Sequence, residues 1–293
     1  MPEHLTVPPP APVVQAHLEQ VLALLRAGDV VVLTGAGMST ASGIPDYRGP
    51  DGKRRVQPMQ YSEFLADTEG RRRYWARAFA GWERFAGAGP NSAHRGVADW
   101  QQAGALAGII TQNVDGLHQA AGARDVIELH GNLARVVCLD CDARYARSDM
   151  HRWLSAANPH FNTADGVAEI RPDGDVVLSA ERVARFALVR CPRCSHDRLK
   201  PDVVFFGGTV ERRLVDRSFA LVGRARALLV LGSSLQVMSG YRFVRRAHSL
   251  GIPIAVITRG PTRGHEETTV HVDALLADVV PALGRALVAK NSR

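Results

Sequence analysis

Cys138 and Cys141, and Cys191 and Cys194, form two Cys-x-x-Cys pairs and account for all four cysteines of the 293-residue chain. Each pair offers two thiolates to one ion, and together they complete a closed tetrahedral zinc set with no position left for water or substrate. The expected metal is therefore one structural Zn2+. A redox Cys-x-x-Cys is the competing reading, but two pairs with no cysteine left over favour the ion. The 49 residues between the pairs exceed the spacing of a simple ribbon, so the ion is expected to pin two strands on either side of an inserted segment.

A second chemistry lies in Gly35-Ala36-Gly37-Met38-Ser39-Thr40. Glycines at such a turn let backbone amides close on a pyrophosphate at a helix start. The third glycine position is Thr40, and no acidic residue ends a second strand about 20 residues on, which argues against a hydride-transferring dehydrogenase. By itself the motif is equally a tight structural turn. His130 follows an apolar strand candidate at 126–129, where the carboxyl ends of parallel strands form a crevice, and histidine is suited to take a proton near neutral pH. Its other reading is a satisfied core histidine.

These groups need a scaffold, and the hydrophobic pattern describes one. Val14, Leu18, Val21, Leu22 and Leu25 recur at helical spacing until Gly28. Residues 30–33 form a continuous apolar run into the glycine turn, as a buried parallel strand does. Further strands are expected at 106–111, 126–129, 203–206, 227–231 and 254–257, with helices at 210–224 and 241–250. This alternation predicts an α/β fold, a doubly wound, Rossmann-like parallel sheet, with a smaller inserted zinc-binding module and a helical flap. The flap is the aromatic stretch carrying Phe64, Tyr74, Trp75, Phe79, Trp82 and Phe85, expected to pack against the main domain because aromatics at helical spacing usually form core. The expected division is an arm at 1–13, a Rossmann-like domain from 14–60, 88–134 and 200–288, the flap at 61–87, the zinc module at 135–199 and a tail at 289–293.

Composition excludes several classes. At 46% hydrophobic and 22% charged residues the chain is neither disordered nor collagenous, and its longest apolar runs are far too short for a membrane helix. The start lacks secretory and transit-peptide patterns, so a cytoplasmic protein is expected. The net charge of +7 would ordinarily raise nucleic acid as a partner. Only three of the 36 basic residues are lysines, and the arginines are dispersed without aromatic interleaving, so nucleic acid is not expected as a partner.

Five separated segments agree with one family: Gly35-Ala36-Gly37-Met38-Ser39 with Gly43-Ile44-Pro45-Asp46-Tyr47-Arg48; Thr111-Gln112-Asn113-Val114-Asp115-Gly116-Leu117-His118; Glu128-Leu129-His130-Gly131; Lys200-Pro201-Asp202-Val203-Val204-Phe205-Phe206-Gly207; and Gly232-Ser233-Ser234-Leu235-Gln236-Val237. With the cysteine pairs between the third and fourth, the chain resembles the sirtuins, NAD-dependent protein lysine deacylases, from about residue 18 to residue 287. Arg73-Tyr74-Trp75-Ala76-Arg77, Pro172-Asp173-Gly174-Asp175, Ser239-Gly240-Tyr241-Arg242-Phe243 and Gly260-Pro261-Thr262-Arg263 resemble the class II branch that includes the mitochondrial sirtuin-four type. A bacterial relative is expected.

The resemblance implies a reaction and its residues. The acyl-lysine carbonyl oxygen attacks the nicotinamide ribose carbon, nicotinamide leaves, and an alkylimidate forms. His130 would be the base that deprotonates the attacking ribose hydroxyl, and Asn113 would order the ribose and attacking water. Asp115 would bind the nicotinamide carboxamide and Gln112 the ribose. The implied NAD site also takes in Gly35, Ala36, Gly37, Ser39, the mobile-loop residues Asp46, Tyr47 and Arg48, then Gly232, Ser233, Ser234, Thr258, Arg259 and Gly260. Thr258 stands where the family usually has Asn. Val203, Val204, Phe205, Phe206 and Gly207 would form the acyl-lysine tunnel and peptide edge, with acyl-lysine proteins or peptides as partners. The Tyr-x-x-Arg clamp of succinyl-selective sirtuins falls on Lys53 and Val56, so succinyl is expected to be a poor substrate, unless the basic run Lys53-Arg54-Arg55 serves instead. The alternatives are protein mono-ADP-ribosyl transfer on the same scaffold and a non-catalytic zinc-containing nucleic-acid-binding module.

Overall fold

The computed structural model describes residues 12–49, 51–54, 57–163 and 171–289. Nearly all of the expected arm and tail, as well as Arg55 and Val56, lie outside the described residues.

Among the described residues, nine strands form two sheets. They are β1 (Val30–Thr34), β2 (Leu106–Thr111), β3 (Ile127–Glu128), β4 (Gly131–Cys138), β5 (Arg144–Ala146), β6 (Leu199–Val203), β7 (Ala227–Leu231), β8 (Ile254–Ile257) and β9 (Val270–Val272). The larger sheet runs β3-β2-β1-β7-β8-β9, with every pair parallel. Strands β1, β7 and β8 are buried along their whole length, which explains their unbroken apolar runs. On one face Val30, Val32 and Leu229 meet the helices Pro12–Ala27, Ser92–Gln102 and Leu276–Val288. On the other, Val31, Leu33 and Val230 meet Arg212–Val222 and Met238–Ser249. Phe243 there has no exposed surface, and truncation to alanine would cost about 3–5 kcal/mol. The sheet is doubly wound.

From β1 the chain moves to β2 and β3 on one side, while β7, β8 and β9 extend the sheet on the other. That reversal, between β1 and β7, opens a crevice at the strands' carboxyl ends. The short edge strand β9 carries too little pattern to be read from sequence.

Two expectations need correction. No strand of the parallel sheet lies at 203–206: the strand here is β6, four residues earlier, which pairs antiparallel with β4 in a three-stranded sheet ordered β5-β4-β6, and Phe206 makes only an isolated bridge to Gln60. An apolar run states that a strand is buried, not which sheet receives it. The flap, helices Tyr61–Ala66 and Thr68–Ala86, packs on the main domain only in part and mainly on the small sheet. Phe64, Tyr74, Trp75 and Phe79 join Val136, Met150, Phe186 and Leu199 in the core around the small sheet. Trp75 Nε1 donates to the Leu199 carbonyl at 2.8 Å. Phe85 and its neighbour Trp82 instead contact Ile44, Leu117 and Leu133. The Arg147 guanidinium lies between Trp75 and Trp82, 5.2 and 4.4 Å from their ring centres, and burial brings its pKa down to about 10.

Candidate active site

The cleft at the switch point encloses about 1070 Å³. Its floor is made where two turns meet. Gly35 N donates to the Leu231 carbonyl at 3.0 Å and Gly37 N to the Gly232 carbonyl at 2.9 Å. Gly232 has φ +63°, and a Cβ there would stand 2.6 Å from the Gly37 carbonyl carbon. Only glycine allows that approach.

Polar side chains then lock the turn after β1 to the loop after β2. Ser39 Oγ donates to Asp115 Oδ2 at 2.6 Å, and Asn113 Nδ2 donates to Ser39 Oγ at 3.1 Å and to the Gly35 carbonyl at 3.0 Å. The Leu117 amide donates to Asp115 Oδ1. Burial raises the Asp115 pKa above the usual carboxylate range, while the Ser39 and Leu117 donors oppose that shift. Gln112 reaches across to the β7 turn, with Nε2 donating to Ser233 Oγ at 3.0 Å.

His130 sits at the end of β3. Its Nδ1 is 2.8 Å from the Gln112 carbonyl oxygen and its Nε2 is 2.8 Å from Ser239 Oγ. Burial lowers its pKa, the Gln112 contact opposes that, and the Arg242 charge adds to the lowering. Burial thus favours the neutral ring.

On the other wall, Tyr47 meets Phe206 edge-on at 5.6 Å. Arg48 donates to the Gly52 carbonyl at 2.9 Å and the Arg54 guanidinium stands 5.6 Å from the Phe206 ring centre. Phe205 lies among Phe64, Tyr74 and Lys200, whose Nζ is 5.0 Å from its ring centre. Burial brings the Lys200 pKa down to about 8.

The cleft brings together most of the residues read from sequence: Gly35, Ala36, Gly37, Ser39, Asp46, Tyr47, Arg48, Gln112, Asn113, Asp115, His130, Val204, Phe205, Phe206, Gly207, Gly232, Ser233, Ser234, Thr258 and Arg259. Val203 and Gly260 are not in its lining. Val203 pairs with Gly131 within the small sheet, and Gly260 is a left-handed turn residue at φ +77°. Residues missed from sequence include Asn91, Ser239 and Arg242. Asn91 caps the helix Ser92–Gln102 and donates to the Met38 carbonyl and Ser42 Oγ. An asparagine just before a helical stretch was the available signal.

Away from the cleft, the sulfurs of Cys138, Cys141, Cys191 and Cys194 lie within 4.8 Å of one another. Cys138 and Cys194 Sγ are 3.6 Å apart and Cys141 and Cys191 Sγ 3.7 Å apart. A tetrahedron with Zn–S of about 2.3 Å needs sulfurs about 3.8 Å apart. The donor set fits one zinc ion, with no open position.

A Sir2 family model matches residues 35–239. The chain belongs to the Sir2 family. Among curated relatives, the NAD-dependent protein deacetylase 1 of Streptomyces coelicolor is 54% identical over 241 residues, 82% of this chain and 80% of that protein. The mitochondrial NAD-dependent protein lipoamidase sirtuin-4 of Bos taurus is 40% identical over 95% of this chain and 89% of its own length. A Sir2 structure solved with a p53 peptide and NAD+ superposes with a TM-score of 0.71 at 28% identity, covering 94% of this chain and 98% of that one.

Proposed function

We propose that this Sir2-family chain is an NAD-dependent protein-lysine deacylase, moving the acyl group of an acyl-lysine to ADP-ribose and releasing nicotinamide. One observation carries the reading: a single cleft joins the glycine turns, the Ser39–Asn113–Asp115 network, the neutral His130 ring and the Phe205–Phe206 edge.

NAD is consumed as a co-substrate. Gly35, Ala36, Gly37, Gly232, Ser233 and Ser234 hold its phosphates and ribose, with Asp46, Tyr47 and Arg48 closing over them. Asp115 binds the carboxamide, and Asn113 orders the ribose. Val204, Phe205, Phe206 and Gly207 flank the acyl-lysine, and its peptide adds as an extended strand beside them. After the acyl oxygen displaces nicotinamide, His130 Nε2 accepts the proton of the ribose hydroxyl that attacks the resulting adduct. Water then frees lysine and leaves acyl-ADP-ribose.

Acyl-lysine proteins or peptides are the partners in this reading. Nucleic acid is not part of this reading; Arg71, Arg77, Arg135, Arg144 and Arg198 each pair with a carboxylate. Thiols gathered for a metal fit the reducing cytoplasm, and among the described residues no helix is long and apolar enough to cross a membrane. The division into a Rossmann-like domain, flap and zinc module accompanies this proposal.

Incubation with NAD and a panel of acyl-lysine peptides, followed by mass analysis, tests it. Free lysine, nicotinamide and acyl-ADP-ribose are expected, with His130→Ala about 100-fold or more slower. ADP-ribose attached to protein without deacylation would establish the transferase alternative.

A further inference from the structure

The Gln112 carbonyl can only accept, so the proton of the neutral His130 ring is on Nδ1 and Nε2 is the bare nitrogen. Ser239 Oγ, 2.8 Å from Nε2, is therefore the donor of that contact. Ser239 lies in the first turn of the helix Met238–Ser249. The next residue fixes its place: a Cβ on Gly240 would stand 2.5 Å from Gln112 Oε1, so the helix start sits directly on the residue that holds the other side of the ring.

We propose that Ser239 is a positioning residue for His130, its hydroxyl holding Nε2 in line while the Gln112 carbonyl holds Nδ1–H. The inference rests on His130 being the base. A hydroxyl suits the task because it can both donate and accept. It donates to the neutral ring before reaction. Nε2 has a single lone pair, so the serine proton swings away as the ribose hydroxyl moves in; once Nε2 has taken the ribose proton the serine oxygen accepts from Nε2–H, and the ring keeps its orientation through the step. Alanine can do neither, whereas threonine can do both.

The position of this step in the reaction supplies a test that a general packing role would not satisfy. Expulsion of nicotinamide precedes proton transfer to His130, and labelled nicotinamide can reverse that expulsion and enter NAD. Acyl-ADP-ribose formation and nicotinamide exchange should therefore respond differently. Ser239→Ala is expected to slow acyl-ADP-ribose formation about tenfold with KM for NAD and the exchange rate preserved. Ser239→Thr is expected to stay within about threefold of the unaltered enzyme.

An unchanged rate of acyl-ADP-ribose formation in Ser239→Ala, equal loss of both reactions, or a threonine variant as slow as alanine would each overturn the proposal. His130→Ala, measured in parallel, separates the two levels. If that variant forms acyl-ADP-ribose at a normal rate, the base assignment fails whatever Ser239 does.

Discussion

Ser39 Oγ donates to Asp115 Oδ2 at 2.6 Å, joining residues 76 positions apart and fastening the glycine turn to the loop after β2. The bond favours the ionised carboxyl against the burial that raises its pKa. Ser39→Ala removes that favour, so the Asp115 pKa should rise further and the carboxylate should be lost at a higher pH on acidification. The acidic limb of kcat/KM for NAD is expected to move upward. A limb that stays in place would show that Asp115 ionisation does not govern the profile.

A second buried pair concerns stability. His94 and His118 have rings 5.0 Å apart, edge to face, and His118 Nε2 is 3.0 Å from Thr34 Oγ1. Burial lowers their pKa values from 6.5 to about 4 and about 3. Below about pH 6.5 the unfolded chain takes up protons that the native state refuses, so stability is full above that value and falls as pH drops toward 4 and 3. Each histidine contributes up to about 1.4 kcal/mol per pH unit in that window. His118→Gln should flatten the dependence while costing roughly 1–3 kcal/mol near neutrality, because the His118 contact to Thr34 Oγ1 is disturbed even though Thr34 keeps its bond to Thr111 Oγ1. Urea unfolding across the window measures both, and an unaltered slope would contradict the assignment.

Zinc should prove structural. Its four thiolates stand in the small-sheet core with Val136, Met150 and Phe186. Chelation is expected to unfold that region and abolish activity as a consequence, and the native chain should hold one zinc per molecule. Activity lost by chelation with circular dichroism and thermal stability unchanged would require a metal in the chemistry.

Acyl choice should favour neutral chains. Tyr47, Phe205 and Phe206 make the wall aromatic, with Tyr74 packed behind Phe205, and the buried carboxyl of Asp173 acts on both tyrosines. A second carboxylate brought there is desolvated beside a carboxyl whose own pKa burial already raises, while each added methylene contributes about 0.8 kcal/mol. Butyryl should be removed at least as efficiently as acetyl, and succinyl poorly, with Asp173→Asn improving succinyl relative to acetyl. Comparative kcat/KM on one peptide decides it. Strong preference for succinyl or glutaryl-type groups would point instead to Lys53, Arg54 and Arg55.

Part of this protein was legible because the information is local. The bounds of β7 and β8 match their apolar runs, since residues buried on both faces of a sheet must be apolar one after another. The cysteine pairs likewise declare their chemistry by spacing alone, whereas the glycine turn is informative only together with the other family segments. The helical flap was legible as helix and core, yet its partner was not, because aromatic area is equally well buried against either neighbour.

Sequence by itself determined the parallel scaffold and the four-thiolate set, and most of the site residues that the family resemblance nominated fall in the cleft. Tertiary structure alone decided that β6 leaves the main sheet for the small one, that the flap joins the small-sheet core, and that Ser239 Oγ reaches His130 Nε2 across 109 positions. Secondary structure follows from neighbours in the chain. A hydrogen bond between distant side chains depends on where packing brings two elements to rest, and here the close approach of Gly240 to Gln112 sets that position.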